Sequence, residues 1–286
     1  MSIPETLGAA VLAVVAAPLL GGLLAGFDRR ISARMQSRRG PPILQPFYDV
    51  LKLFRKENIV VRRSQNFYVY FFLFFMAFTA ALFFSGGDML LTIFALTLAG
   101  IFLVLGAYKA SSPYSFIGAE RELLMMMAYE PMVLLTAVGM YLVTRSFIVG
   151  EIARYPQLLV RTLPGLFIGF VFILIFKLRK SPFDISASYH AHQEIVNGVT
   201  TEFSGRTLAF IEIAHWYETV VVLGMVALFF ASLPWLAVLV TAGVYVLMIL
   251  VDNVFARVKW QLALASGWIV AGTLGVGNIL VVYFLK

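Results

Sequence analysis

Long apolar runs alternate with short polar segments along this chain. Runs of spanning length fall at about 4–27, 67–86, 89–109, 119–144, 160–177, 207–231, 233–252 and 260–285. About 20 apolar residues at 1.5 Å each cross a hydrocarbon layer about 30 Å thick, so the pattern predicts about eight transmembrane helices. The fifth run, at 18 residues, is the shortest. Ser85-Gly86-Gly87-Asp88 and Ser232-Leu233-Pro234 separate neighbouring runs tightly, so 67–109 and 207–252 each read as an antiparallel hairpin.

The period changes after the first run. Leu44, Phe47, Leu51 and Phe54 fall at i, i+3, i+7 and i+10, while Gln45, Asp49, Lys52, Arg55 and Lys56 fill the other positions. This predicts an amphipathic helix to about Glu57, too short to span, lying in the interface with its basic residues toward headgroups or a partner. Gly40-Pro41-Pro42 fixes a stiff turn before it. The expected fold is all-α: a polytopic single transmembrane domain over 1–286, with inside loops at about 28–66, 110–118 and 178–206. No internal repeat is visible, so the inverted-repeat signature of many transporters is missing.

Composition fits this reading. The chain is 61% hydrophobic and 13% charged, with a mean hydropathy of +0.90. Soluble domains carry about 25% charged residues. The net charge of +7 sits in loops between apolar runs, which points to topogenic charge and not to nucleic acid. Ten Lys and Arg occupy 28–66, and eight more lie on the same side; only Arg145, Arg154, Arg161 and Lys286 lie on the other. That bias makes the first side cytoplasmic and places both termini outside, in a multi-pass protein of the cytoplasmic (inner) membrane. The N-terminus lacks a basic stretch before its first run, which reads as a retained span. With no Cys, the chain can hold no thiolate-ligated cluster, Cys-ligated zinc or disulfide.

The candidate chemistry lies in the membrane. Glu130 and Glu218 each fall about eleven residues into an apolar run, or roughly 16 Å deep. An ionisable group there costs a few kcal/mol unless paired, hydrated or neutral. Glu212, His215 and Glu218 are spaced by three, so they share a 120° stripe of one helix face. If the fourth and sixth spans are neighbours, these groups form a titratable ladder with Glu130, and Pro131 loosens the helix beside it. Glu120 and Glu122 at the start of the fourth span are weaker entry candidates, with Arg121 as a charge partner. The third inside loop adds Asp184, His190, His192, Glu194 and Glu202, residues suited to proton exchange or contact with a partner chain; Arg39 and Asp49 belong to the first. His-x-His alone is weak evidence for a metal, which needs three or four ligands.

Several motifs in one order resemble the H-type subunit (subunit 1) of respiratory complex I. They are Arg39-Gly40-Pro41 with Leu44-Gln45-Pro46 and Asp49, Lys52-Leu53, Lys56-Glu57, Arg121 with Tyr129-Glu130, Pro182-Phe183-Asp184, and Glu202-Phe203-Ser204-Gly205. The resemblance implies eight spans at the junction of a peripheral electron-transfer arm and an ion-pumping membrane arm. It also implies a path of acids between redox site and pumps. Departures from the quinone-reducing form are specific. Only Pro42 and Ile43 separate the Arg-Gly-Pro and Leu-Gln-Pro elements, so part of the quinone-entry region is missing. His190 and His192 stand where that form has Glu, and His215 replaces another Glu. Glu212 and Glu218 are additional. The runs His190-Ala191-His192-Gln193-Glu194 and Glu212-Ile213-Ala214-His215-Trp216-Tyr217-Glu218 look instead like the membrane anchor of energy-converting nickel–iron hydrogenases, of the ferredoxin-linked or formate-hydrogenlyase type.

That resemblance implies a coupling subunit without a redox centre, its nickel–iron centre and 4Fe-4S clusters lying in partners. The implied partners are hydrogenase large and small subunits, iron–sulfur subunits and antiporter-like membrane subunits, within a lipid bilayer and without nucleic acid. The alternatives are an H-type subunit of a quinone-reducing NADH dehydrogenase and a stand-alone cation antiporter.

Overall fold

The protein is described by a computed structural model covering residues 3–58, 63–183, 198–256 and 258–284. The long helices are α1 (Ile3–Met35), α3 (Arg63–Phe84), α4 (Met89–Lys109), α5 (Pro113–Thr144), α9 (Gly205–Leu228) and α10 (Pro234–Val254). Short α2 (Gln45–Arg55) precedes α3, and α6 (Val149–Ala153), α7 (Leu159–Thr162) and α8 (Pro164–Lys177) lie between α5 and α9. The last apolar run is α11 (Trp260–Val270), a π segment (Ala271–Val276) and α12 (Gly277–Phe284). Seven helices among the described residues are long and apolar enough to cross a membrane.

The fifth run departs from expectation. Pro164 opens a new helix within it, leaving α8 with 14 residues. That is about 21 Å of rise, short of a hydrocarbon layer about 30 Å thick. The helix is tolerated because it is packed inside the bundle, against α5, α9 and the π segment, with Phe170, Ile173 and Leu174 buried. It also stops with its carbonyls satisfied. Arg179 N–H donates to Phe176 O (3.0 Å) and Lys180 N–H to Ile175 O (2.9 Å), with Arg179 in the left-handed conformation at φ 52°. This is a Schellman stop with arginine where glycine is usual.

Other helices run past the apolar windows. α1 continues through Asp28, Arg29 and Arg30, and α5 begins at Pro113, so the expected loop at 110–118 shrinks. Helical hydrogen bonding needs no apolar side chains, and proline is well suited to a first turn. The hairpin turn after α3 has Gly86 at φ 78°, followed by Asp88, which caps α4 through Leu91 N–H (2.9 Å). Asp88 also bridges to Ile148, tying this turn to the loop after α5.

α2 does not lie loose in the interface. Its inward face is Phe47, Val50 and Phe54, packed on Ala209, Phe210, Ile213 and Trp216 of α9, while Leu44 and Leu51 are exposed. Gly22 and Gly26 make this possible, because a Cβ at either would strike Phe47 or the Ile43 carbonyl. Tyr217 and Tyr245 donate from α9 and α10 to the Val14 (2.5 Å) and Leu24 (3.0 Å) carbonyls of α1.

Candidate functional site

Three cations follow one another at the buried end of α8, and the Schellman turn sends each to a different place. Lys177 Nζ donates to Glu218 Oε1 of α9 at 3.1 Å. Arg179 donates to Glu122 Oε1 of α5 at 2.9 Å and lies 2.7 Å from His215 Nε2 of α9. Lys180 pairs with Asp28 of α1 and Asp252 of α10. The turn is also held by Asp252, which accepts from Ser181 N–H at 2.9 Å.

His215 joins the first two pairs. A guanidinium can only donate, so His215 Nε2 accepts from Arg179 and its proton resides on Nδ1. Nδ1 then donates to Glu218 Oε2 at 3.3 Å. The result is a chain of contacts running Glu122, Arg179, His215, Glu218, Lys177. Glu122, Lys177 and Glu218 are 8%, 8% and 7% exposed. Two carboxylates and two cations balance, as a buried cluster requires: an unpaired charge here costs several kcal/mol.

Beyond Lys177 lies Glu130. The Lys177 ammonium sits 4.4 Å from the centre of the Tyr129 ring and acts electrostatically on Glu130. Glu130 Oε1 is buried without a hydrogen-bond partner, and Thr97 of α4 is a hydrogen-bonding neighbour of the carboxyl group. A cavity of about 380 Å³ reaches the network; Arg29, Asp49, Lys52, Arg179, Glu212 and His215 are among its lining residues. Arg29 Nη1 holds Asp49 Oδ2 at 2.5 Å across its mouth.

Burial alone would lower the Lys180 pKa, but Asp28 and Asp252 more than offset it, so its ammonium is held above the ordinary lysine value. Lys180 is therefore a fixed charge that anchors the turn to α1 and α10.

The Glu212, His215, Glu218 stripe is one face of α9, as its spacing implies: two members line the cavity and the third meets Lys177. The fourth and sixth spans, α5 and α9, communicate through α8, which packs on both. The cation on Glu122 is Arg179, whereas Arg121 and Glu120 lie on the exposed side of α5. Asp49 reaches the cavity wall; Arg39 is exposed, and Glu202 is half-buried in the turn before α9. Asp184, His190, His192 and Glu194 lie outside the described residues. Among the described residues no group of three or more His, Asp and Glu is placed to hold a metal ion.

Sequence reasoning missed Lys177, Arg179 and Lys180, which read as headgroup-facing topogenic charge. The available signal was the shortness of the fifth run: cations ending a run too short to span sit inside the bundle. The inside bias in Lys and Arg survives without them.

The model of the family described as NADH dehydrogenase matches residues 7–283. Hydrogenase-4 component C of Escherichia coli (strain K12) is 30% identical, over 88% of this chain and 88% of that protein. An H-type chain of the NADH-quinone oxidoreductase of Syntrophobacter fumaroxidans is 29% identical, over 95% of this chain and 92% of that protein. A chain in the structure of the membrane-bound sulfane sulfur reductase, an archaeal respiratory membrane complex, superposes with a TM-score of 0.81 at 24% identity, covering 96% of this chain and 99% of that one. At that identity the likeness concerns the fold.

Proposed function

The chain belongs to the NADH dehydrogenase family, and on that premise we propose that it is the membrane coupling subunit of a multi-subunit, proton-reducing nickel–iron hydrogenase. It docks the redox module on its inside face and passes protons or charge toward ion-translocating membrane subunits. The observation that carries this reading is the set of contacts from the cavity through His215, Glu218 and Lys177 to the ring of Tyr129, the residue before Glu130. A cavity lined by so many charged or titratable side chains suits water and protons. Glu130, Glu212 and Glu218 are the relay carboxylates, with His215 between cavity and core. Glu120, Glu122 and Glu202 are secondary, and Arg121 is a surface charge. Glu122 with Arg179 holds the entrance in register.

The hydrogenase component among the relatives supports the reaction class, as do the His and Glu positions that depart from the quinone form. In this reading the nickel–iron centre and 4Fe-4S clusters are held by partner subunits, since this chain offers no thiolate. Hydrogenase large and small subunits, iron–sulfur subunits and antiporter-like subunits are the expected company, in the cytoplasmic membrane with both termini outside. Purification of the tagged chain from its native membranes in mild detergent tests this. The expected preparation contains nickel and iron and evolves hydrogen from a reduced viologen. A preparation without nickel that reduces a quinone contradicts it and favours the complex I form.

A further inference from the structure

One ammonium acts on two membrane carboxyl groups, through a hydrogen bond to Glu218 and electrostatically on Glu130. Lys177 Nζ is 3.1 Å from Glu218 Oε1, and 4.4 Å from the ring centre of Tyr129, the residue next to Glu130. Glu218 has two polar partners, Lys177 and His215, while Glu130 has Thr97 as a neighbour and one buried oxygen, Oε1, with no partner. The exchange starts with the proton on Glu130, the carboxyl group that has an unpartnered buried oxygen. The other groups nearby are already engaged: Glu122 with Arg179, and Arg179 with His215. Lys177 is therefore the cation with an acceptor on either side. Its four-carbon stem is flexible, and the Tyr129 face offers a cation–π surface beside it.

Resting on the relay reading above, we infer that Lys177 is a moving counter-charge, bound to Glu218 in the arrangement seen here and to Glu130 in a second one. The exchange balances. His215 takes a proton from the cavity at Nε2, displacing its bond from Arg179, and passes the proton on Nδ1 to Glu218 Oε2. Neutral Glu218 releases the ammonium. The ammonium moves to Glu130, which gives up its proton onward and becomes a carboxylate. One proton enters at Glu218 and one leaves at Glu130, while the sum of charges on Glu130, Lys177 and Glu218 stays at zero. On the return stroke the Glu218 proton passes to Glu130 as the ammonium goes back to Glu218, which restores the starting arrangement with one proton moved. The buried cluster never holds an unpaired charge at either end of the cycle.

The experiment is infrared difference spectroscopy, reduced minus oxidised, on the whole membrane complex, with gradient formation in inside-out vesicles as a second readout. The wild-type spectrum is expected to show one protonated-carboxyl band gained and one lost, the first absent in Glu218→Gln and the second absent in Glu130→Gln. In Lys177→Met both bands are expected to vanish, and the gradient to fall by about tenfold or more. Lys177→Arg keeps the charge and the assembly, yet its forked guanidinium grips Glu218, so the gradient is expected to form several-fold more slowly. Both bands intact in Lys177→Met, whatever its gradient, overturn the moving charge and leave the relay standing. If that variant does not assemble, a wild-type gradient in Lys177→Arg overturns it. A wild-type complex with neither band overturns the relay beneath it as well.

Discussion

At the scale of single residues, the network separates charges that are held from charges that move. Lys180 is held: Asp28 and Asp252 raise its pKa above the ordinary lysine value. A raised lysine pKa gives stability that is complete below the unfolded value and is lost only as pH climbs through the folded one. Lys180→Met should therefore lower the thermal midpoint by a similar amount at about pH 6 and at about pH 9, both below that window. A loss confined to the lower pH would contradict the assignment. Glu122→Gln should remove the buried carboxylate that holds half-buried Arg179 and cost about 1–3 kcal/mol. Glu120→Gln, on the exposed side of α5, should stay within about 0.5 kcal/mol of wild type. Chemical denaturation of the two variants in one detergent checks the contrast. The acids were legible in the sequence because a carboxyl group in an apolar run is conspicuous. Their cations were not: lysine and arginine after an apolar run look the same whether they face headgroups or turn back into the bundle.

At the scale of elements, two local structures make the site. α8 ends inside the bundle, and its Schellman turn fans Lys177, Arg179 and Lys180 outward. α2 forms one wall of the cavity by packing Phe47, Val50 and Phe54 on α9. The period of α2 is visible in the sequence, but its buried stripe is rotated from the one the spacing suggests. Leu44 and Leu51 fit the spacing yet face outward, because Phe47 and Phe54 have aromatic partners in Trp216 and Phe210 at 5.2 and 5.3 Å. The break at Pro164 was hidden by the apolar residues on both sides of it, and the π segment leaves no apolar–polar signature. Close contact with Ile43 leads to a direct prediction. Gly26→Val should push the 40–43 segment off α1 and loosen α2. Limited proteolysis in native membranes should then cut between α1 and α3 much faster than in wild type; an unchanged rate would contradict the packing. Trp216→Ala should do the same more mildly, since it removes an aromatic contact worth about 1 kcal/mol beyond its burial.

At the scale of the whole molecule, α1, α3, α4, α5, α9, α10 and the α11–α12 run form an apolar bundle in which short α8 packs on α5, α9 and the π segment, with a small ionic cluster buried at its end. Exposed Leu12, Phe74, Val238 and Ile269 are ordinary for a surface facing lipid or membrane partners. Hydropathy expected about eight spans, and among the described residues seven of those runs are helices long and apolar enough to cross a membrane, because length and apolarity are what the bilayer demands; in the fifth run the longest helix is the 14-residue α8. Hydropathy could not read which helices touch, since lipid-facing and helix-facing apolar residues look alike. Orientation is open to a clean test, because the chain has no Cys. Ser37→Cys should react with an impermeant thiol reagent only from the inside and Glu151→Cys only from the outside. Labelling of both from one side would overturn the assignment. The proposed proton coupling belongs to this scale too, since it would need the cavity, α9, α8 and α5 together. Its most direct measurement is the ion gradient formed per electron transferred in inside-out vesicles carrying Glu130→Gln or Glu218→Gln. Both variants should assemble and keep transferring electrons while the gradient disappears; full gradients in both would mean that these membrane carboxyl groups do not carry the coupling.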